Sequence, residues 1–148
     1  MPLYLCRTAE GAVAVPVKQQ IAEDITRIHC AVTGAPPVFV HAFFLPMVPM
    51  VPMGPNGPSD TAPADAPAIA VRATIRAGRT DAQKADIHDQ LHAAIVARTG
   101  HGPADIAVEI VDTPASWVME GGEIFPEPGE EAPWLEAHEA RMAARRSA

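Results

Sequence analysis

Pro2, His29, Arg72, Arg76, Arg79 and Glu120 are the residues whose types and spacing could do chemistry. Pro2 follows the initiator methionine, and removal of Met1, favoured when the next residue is small, leaves Pro2 as a free secondary amine. An α-amino group titrates at about pH 8, so it can give or take a proton at working pH without an unusual environment. Arg72, Arg76 and Arg79 are the densest positive charge in an acidic chain. Guanidinium groups hold carboxylates through paired hydrogen bonds, so the cluster reads either as an anion site or as a solvated basic edge. Glu120 stands between Met119 and Gly121-Gly122, a carboxylate beside flexible backbone. His88 and His92 are spaced i, i+4, which permits joint metal ligation, but no third ligand is placed and they read as surface residues; no metal is expected. Nucleophile-elbow, P-loop and dinucleotide patterns do not occur, and Gly100-His101-Gly102 is too short to cradle phosphates.

These groups must be positioned by a repeated unit. Pro2–Arg7 is apolar and β-favouring, and Val17, Ile21, Ile25, Ile28 and Val32 form a helical stripe that opens at Pro16 and stops at Gly34. Val38–Leu45 reads as a buried strand. Advancing 66 positions brings Lys18 onto Lys84, Ile21 onto Ile87, Ile25 onto Leu91, Thr33-Gly34 onto Thr99-Gly100 and Pro37 onto Pro103. The second copy would open at Ala68–Ile75, pairing Pro2 with Ala68, start its helix at a capping box, Thr80-Asp81-Ala82-Gln83, and close with Ala104–Val111. His29 falls on Ile95 in this comparison, so one copy carries an ionisable group where the other keeps a core residue.

The expectation is an α+β fold: a tandem β-α-β repeat giving a four-stranded sheet with two helices on one face, each copy with parallel strands. The chain divides into a first unit (1–45), a Pro/Met-rich connector (46–67), a second unit (68–112) and a C-terminal segment (113–148), all in one domain. Prolines at every third position from 46 to 58 suggest polyproline II, and Trp134–Arg146 suggests a short helix docked through Trp134, Leu135, His138 and Met142. The open sheet would expose edges that a symmetric oligomer could cover. A net charge of −7 argues against nucleic acid and anionic membranes, and no apolar run reaches the roughly 18 residues of a membrane span. Two cysteines, Cys6 and Cys30, suggest a reducing, cytoplasmic setting.

Met1-Pro2 with Tyr4, Ile25-Thr26 with His29, Thr33-Gly34, Arg76-Ala77-Gly78-Arg79, Pro114-Ala115, Glu120-Gly121-Gly122 and Phe125-Pro126-Glu127-Pro128-Gly129 follow one another in this order. Together with an amino-terminal proline opening a tandem β-α-β, the set resembles the tautomerase superfamily. It is most similar to the cis-3-chloroacrylic acid dehalogenase group, over nearly the whole chain. The resemblance implies Pro2 as acid–base amine, Arg76 and Arg79 as clamp on a substrate carboxylate, His29 as a further polar contact and Glu120 as the carboxylate that activates water. It also implies a cofactor-free homotrimer whose subunits complete one another's sheets. One position departs: where hydrating members carry a tyrosine on the fourth strand, this chain has Glu109. An ionised glutamate accepts hydrogen bonds but donates none, and it repels an anionic substrate unless an arginine pairs with it.

The expected activity is therefore proton transfer by Pro2 on a small carboxylate bearing an enol, 2-oxo or 3-substituted acrylate group, with Glu109 among the substrate contacts. Keto–enol tautomerisation is the leading reading, hydration or dehalogenation of 3-haloacrylates the alternative. A binding or structural protein that kept the fold is the reading from another class.

Overall fold

The computed structural model describes residues 2–47, 53–54, 57–58 and 66–146. In chain order the elements are β1 (Leu3–Thr8), α1 (Val15–Thr33), β2 (His41–Pro46), the two-residue strands β3 (Met53–Gly54) and β4 (Gly57–Pro58), β5 (Ile69–Arg76), α2 (Asp81–Thr99), β6 (Ile106–Thr113), the two-residue strands β7 (Met119–Glu120) and β8 (Glu123–Ile124), and α3 (Glu131–Arg146). The main sheet has the order β2-β1-β5-β6, with β1 and β2 parallel, β5 and β6 parallel, and β1 and β5 antiparallel.

The helices repeat at the expected interval, α1 over 15–33 and α2 over 81–99. Each ends on a glycine in the left-handed region, Gly34 at φ 71° and Gly100 at φ 72°, where a side chain would be strained. The capping box at α2 is present: Thr80 accepts from the Gln83 backbone, and the Gln83 side chain accepts from the Thr80 N–H. One face of the sheet receives both helices. Tyr4, Cys6, Val71, Ala73 and Ile75 meet Ile21, Ile25, Ile28, Ile87, Leu91 and Ile95 there, all buried. Full burial of each large aliphatic contributes on the order of 1.5–3 kcal/mol, which makes this layer the main source of stability.

Three boundaries move. The strand expected from Val38 begins at His41, because Pro37–Phe39 forms a single 3-10 turn whose N–H groups return to Pro36 and Pro37. Proline suits the first turn of such a helix, and Pro103–Asp105 repeats the device before β6. The C-terminal helix starts at Glu131, with Pro133 tolerated in a first turn whose N–H groups need no intrahelical partner. The pairing of Pro2 with Ala68 does not hold. Leu3 lies beside His41 and Ala70 beside Ala107, so the later strands repeat at 66 but the opening strands at 67, and Pro2 corresponds to Ile69. The first copy simply has one more residue between strand and helix. Of the connector, Met53–Gly54 pairs antiparallel with Gly57–Pro58. The remainder of the polyproline reading lies outside the described residues.

Candidate active site

The antiparallel join of β1 to β5 sets the start of the first strand beside the end of the other. Leu3 is opposite Thr74, which puts Pro2 next to Ile75, one residue short of Arg76. Pro2 is fully buried, and its carbonyl accepts the N–H of His41 at 3.0 Å. The C-terminal half of α1 brings His29 to the same end. Its Nδ1 lies 2.7 Å from the Tyr4 hydroxyl, with the rings edge to face at 5.8 Å. Arg76 is only 1% exposed although it alternates onto the face away from the helices, because Pro126, Glu131 and the Phe39 ring cover it. Arg79, in the turn before α2, reaches back to the Thr33 carbonyl at 3.4 Å.

Burial, then the positive charges of Arg79, Arg76 and the amino terminus, push the pKa of His29 down to about 4, so its imidazole is neutral at working pH. Burial and the nearby Cys30 and Cys6 push the Tyr4 phenol up, keeping it protonated. The tautomer follows from the network: a buried Tyr4 hydroxyl satisfies its proton by donating to Nδ1, which leaves the His29 proton on Nε2. His29 Nε2, Arg76 Nε and Arg79 Nε are buried and have no hydrogen-bond partner among the described residues. Buried donors without partners cost roughly 1–3 kcal/mol each, and these three lie on residues that the fold brings to one end of the sheet, where guanidinium and imidazole N–H groups are chemically suited to an anionic or carbonyl oxygen. The donors and Pro2 can together hold an oxygen-rich group beside an amine.

Glu120 is placed differently. It begins the turn of the β7–β8 hairpin, where Gly121 and Gly122 both take positive φ, and its side chain lines a cavity of about 340 Å³. Phe125, Trp134, Leu135, His138 and Met142 supply half of the other lining residues, so the expected docking face of α3 is present but leaves a hollow. Phe39 forms part of that wall and stacks its face 5.5 Å from the Arg76 guanidinium carbon, so it stands between the two regions. Pro2, His29, Arg76 and Arg79 thus gather at one end of the sheet, and Glu120 faces the adjoining cavity. Glu109 stands apart from both. It pairs with its cross-strand neighbour Arg72 at 3.5 Å on the helix-free face, which supplies the arginine partner its charge calls for. His88 contacts Asp89, and His92 contacts the Pro103 carbonyl.

Sequence reasoning assigned no role to Tyr4, Phe39 or Glu131. Tyr4 belongs to the motif set, yet its partner is 25 residues away. Glu131 sits among Glu127 and Glu130 in a Gly/Pro/Glu-rich stretch, where nothing in the pattern singles it out. In the fold it receives Arg76 and the N–H of Gly129. Its burial opposes ionisation, but hydrogen bonds from backbone N–H groups and Arg76 outweigh that and hold its carboxyl below the usual range.

Residues 1–139 match the Tautomerase_3 family, described as "Putative oxalocrotonate tautomerase enzyme". Among solved structures, N1, a member of the cis-3-chloroacrylic acid dehalogenase family, superposes with a TM-score of 0.75 at 25% identity, over 90% of each chain. The native Ps01740 structure is 35% identical with a TM-score of 0.66, covering 80% of this chain and 99% of its own. A fused 4-OT wild-type asymmetric trimer is 27% identical with a TM-score of 0.65, over 82% of this chain and 94% of its own. No curated protein matches. The family match, the duplicated β-α-β sheet and the N1 likeness agree, and the chain belongs to the tautomerase superfamily, in the group built like cis-3-chloroacrylic acid dehalogenase.

Proposed function

We propose that this protein, after loss of Met1, is a tautomerase in which the Pro2 amine moves a proton between oxygen and carbon of a small 2-oxo or enol carboxylic acid. The observation that supports this reading is that His29, Arg76 and Arg79, each with a buried donor lacking a partner among the described residues, lie at the end of the sheet where Pro2 stands beside Ile75, with both arginine charges acting on His29. Arg76 and Arg79 hold the substrate carboxylate, and the neutral His29 donates through Nε2 to the neighbouring carbonyl or enol oxygen. Two guanidinium charges disfavour a protonated amine, so Pro2 is poised as a base. It removes the enol proton and returns a proton to carbon. The reaction transfers a proton and calls for no cofactor.

Hydration or dehalogenation needs Glu120 to activate a water at the same substrate. The position of Glu120 across Phe39, in an apolar cavity, favours tautomerisation over it. A homotrimer is proposed as the working form. The helix-free face carries Leu3, Leu5, Phe43 and Leu45, the last two exposed, and three of the fused 4-OT neighbours are trimers by name.

The test combines intact mass, an NMR titration of labelled Pro2, and turnover of phenylenolpyruvate with Pro2→Ala as control. Expected are a chain lacking Met1, a Pro2 amine that titrates near or below neutrality, and tautomerisation that Pro2→Ala abolishes. Retained Met1 makes the Pro2 nitrogen an amide and sinks the mechanism. An amine titrating well above neutrality, with Pro2-dependent turnover of a 3-chloroacrylate, shifts the assignment to hydration. No Pro2-dependent turnover of phenylenolpyruvate, 2-hydroxymuconate or either 3-chloroacrylate isomer leaves a binding protein.

A further inference from the structure

The two arginines divide their guanidinium groups in the same way. Arg76 gives Nη1 to the Pro126 carbonyl at 2.7 Å and Nη2 to Glu131 Oε1 at 2.5 Å, and its Nε is left buried without a partner among the described residues. Arg79 gives Nη1 to the Thr33 carbonyl at 3.4 Å, its Nη2 lies 3.9 Å from the same Glu131 oxygen, and its Nε is again left over. One carboxylate oxygen therefore faces both Nη2 groups. Glu131 is itself fixed. Its other oxygen accepts the Gly129 N–H at 2.7 Å, and it opens α3, where the positive end of a helix favours a carboxylate. The Phe39 ring closes the Arg76 face.

We propose that Glu131 is the positioning residue of the arginine pair, holding both Nη2 groups so that both Nε–H edges are left for the substrate carboxylate. This rests on the assignment of Arg76 and Arg79 as the clamp. It also sets a charge count. Two guanidinium groups and one resident carboxylate leave a single net positive charge, which one substrate carboxylate neutralises. The site then favours monocarboxylates, because a second carboxylate finds no uncompensated cation in the pair. A resident competitor, with Glu131 seated where the substrate must bind, would have the opposite signature.

The test uses the full chain, with acrylate as an unreactive monocarboxylate and fumarate as a dicarboxylate. Binding is followed through the Nε–H signals of arginine, assigned with Arg76→Lys and Arg79→Lys. Acrylate is expected to shift both signals. Glu131→Ala is expected to raise the acrylate Kd, and KM for phenylenolpyruvate, by about 10- to 100-fold, with kcat changed less, as misplaced binding groups do. Glu131→Gln keeps an acceptor oxygen and loses the charge. It is expected to bind acrylate nearly as the parent does and to improve fumarate relative to acrylate by about tenfold. Tighter acrylate binding by Glu131→Ala would overturn the proposal in favour of a competitor. Unchanged acrylate binding with a lowered Tm would reduce Glu131 to a tether for α3. If Glu131→Ala does not fold, an unchanged fumarate-to-acrylate ratio in Glu131→Gln overturns the proposal alone. Failure of the clamp is separable: Arg76→Lys and Arg79→Lys would then bind acrylate as tightly as the parent chain.

Discussion

Replacing His29 with glutamine should remove a specific part of the protein's acid sensitivity. The imidazole is 1% exposed, and its pKa falls from the ordinary 6.5 to about 4 in the folded chain. As pH drops below 6.5, the unfolded chain takes up a proton that folded His29 refuses, so the folded state loses ground until about pH 4, where His29 titrates too. The loss is about 2 kcal/mol by pH 5 and about 3 kcal/mol by pH 4, taking 1.36 kcal/mol per unit of difference. Carboxylates act lower. Asp24 is held down chiefly by its hydrogen bond from Arg98, with Arg27 assisting against burial. Glu123 is held at about 2, chiefly by Arg141 and then by His138, and both groups stabilise above their unfolded values and lose that effect in more acidic solution. In the window from pH 7.5 to 5, the difference between parent and His29→Gln therefore reports His29, because the other five histidines are common to both.

The assay is urea unfolding at fixed protein concentration, since oligomerisation couples stability to concentration. Fluorescence of Trp134, stacked on Phe125 in the core of the C-terminal segment, reports the transition. His29→Gln should be less stable than the parent at pH 7.5, because it disturbs a buried hydrogen bond, yet its stability should fall by about 2 kcal/mol less on going to pH 5. Equal pH slopes in the two proteins would refute the burial argument, and with it the assignment of a neutral imidazole donating through Nε2.

Two further outcomes follow from the same geometry. Tyr4→Phe leaves the buried Nδ1 of His29 without its donor, which should cost about 1–3 kcal/mol in urea unfolding and lower kcat/KM by freeing the tautomer; unchanged stability would mean that the 2.7 Å contact is not a hydrogen bond. Glu109→Gln breaks only an exposed pair with Arg72, 48% and 59% exposed, so stability should change by about 1 kcal/mol or less; a loss of kcat/KM beyond about tenfold would instead place Glu109 in a working site of the assembled protein.

Much of this was legible in the sequence because the chain states its architecture twice. Helix stripes, caps and glycine stops recur at one interval, and α1 and α2 occupy matching spans. What escaped depends on events the pattern does not encode. The 3-10 turns at Pro37 and Pro103 use proline's fixed φ to delay each following strand, which hydrophobicity alone cannot show. The extra residue before α1 shifts the opening strand by one, and a one-residue shift changes which face every side chain takes. Glu131 and the Tyr4–His29 contact join segments 55 and 25 residues apart, distances at which spacing carries no information. Glu120 was recognisable as a carboxylate beside glycines, but Phe39, which sets it apart from the arginines, comes from the loop before β2.

The corrected alignment of the two copies also shows why the candidate site residues gather at one end of the sheet. Aligned by strand register, Pro2 corresponds to Ile69 and Tyr4 to Val71, and aligned by helix, His29 corresponds to Ile95. The frames are alike: Thr33 donates to the His29 carbonyl and Thr99 to the Ile95 carbonyl, each at 2.7 Å. Because β1 and β5 run antiparallel, the fold makes two related corners, each joining the start of one opening strand to the end of the other. In one corner Pro2, Tyr4 and His29 of the first copy meet Arg76 and Arg79 of the second. In the other, Ile69 lies opposite Thr8, with buried Val71 and Ile95 in the same core, and Ala9 and Ala12 stand 67 positions before Arg76 and Arg79. Where the first corner has Pro2, Tyr4 and His29, the second has Ile69, Val71 and Ile95, three aliphatic side chains whose burial contributes to the core. The polar corner is equally buried, and its three donors without a partner among the described residues cost about 1–3 kcal/mol each, which the aliphatic corner does not carry.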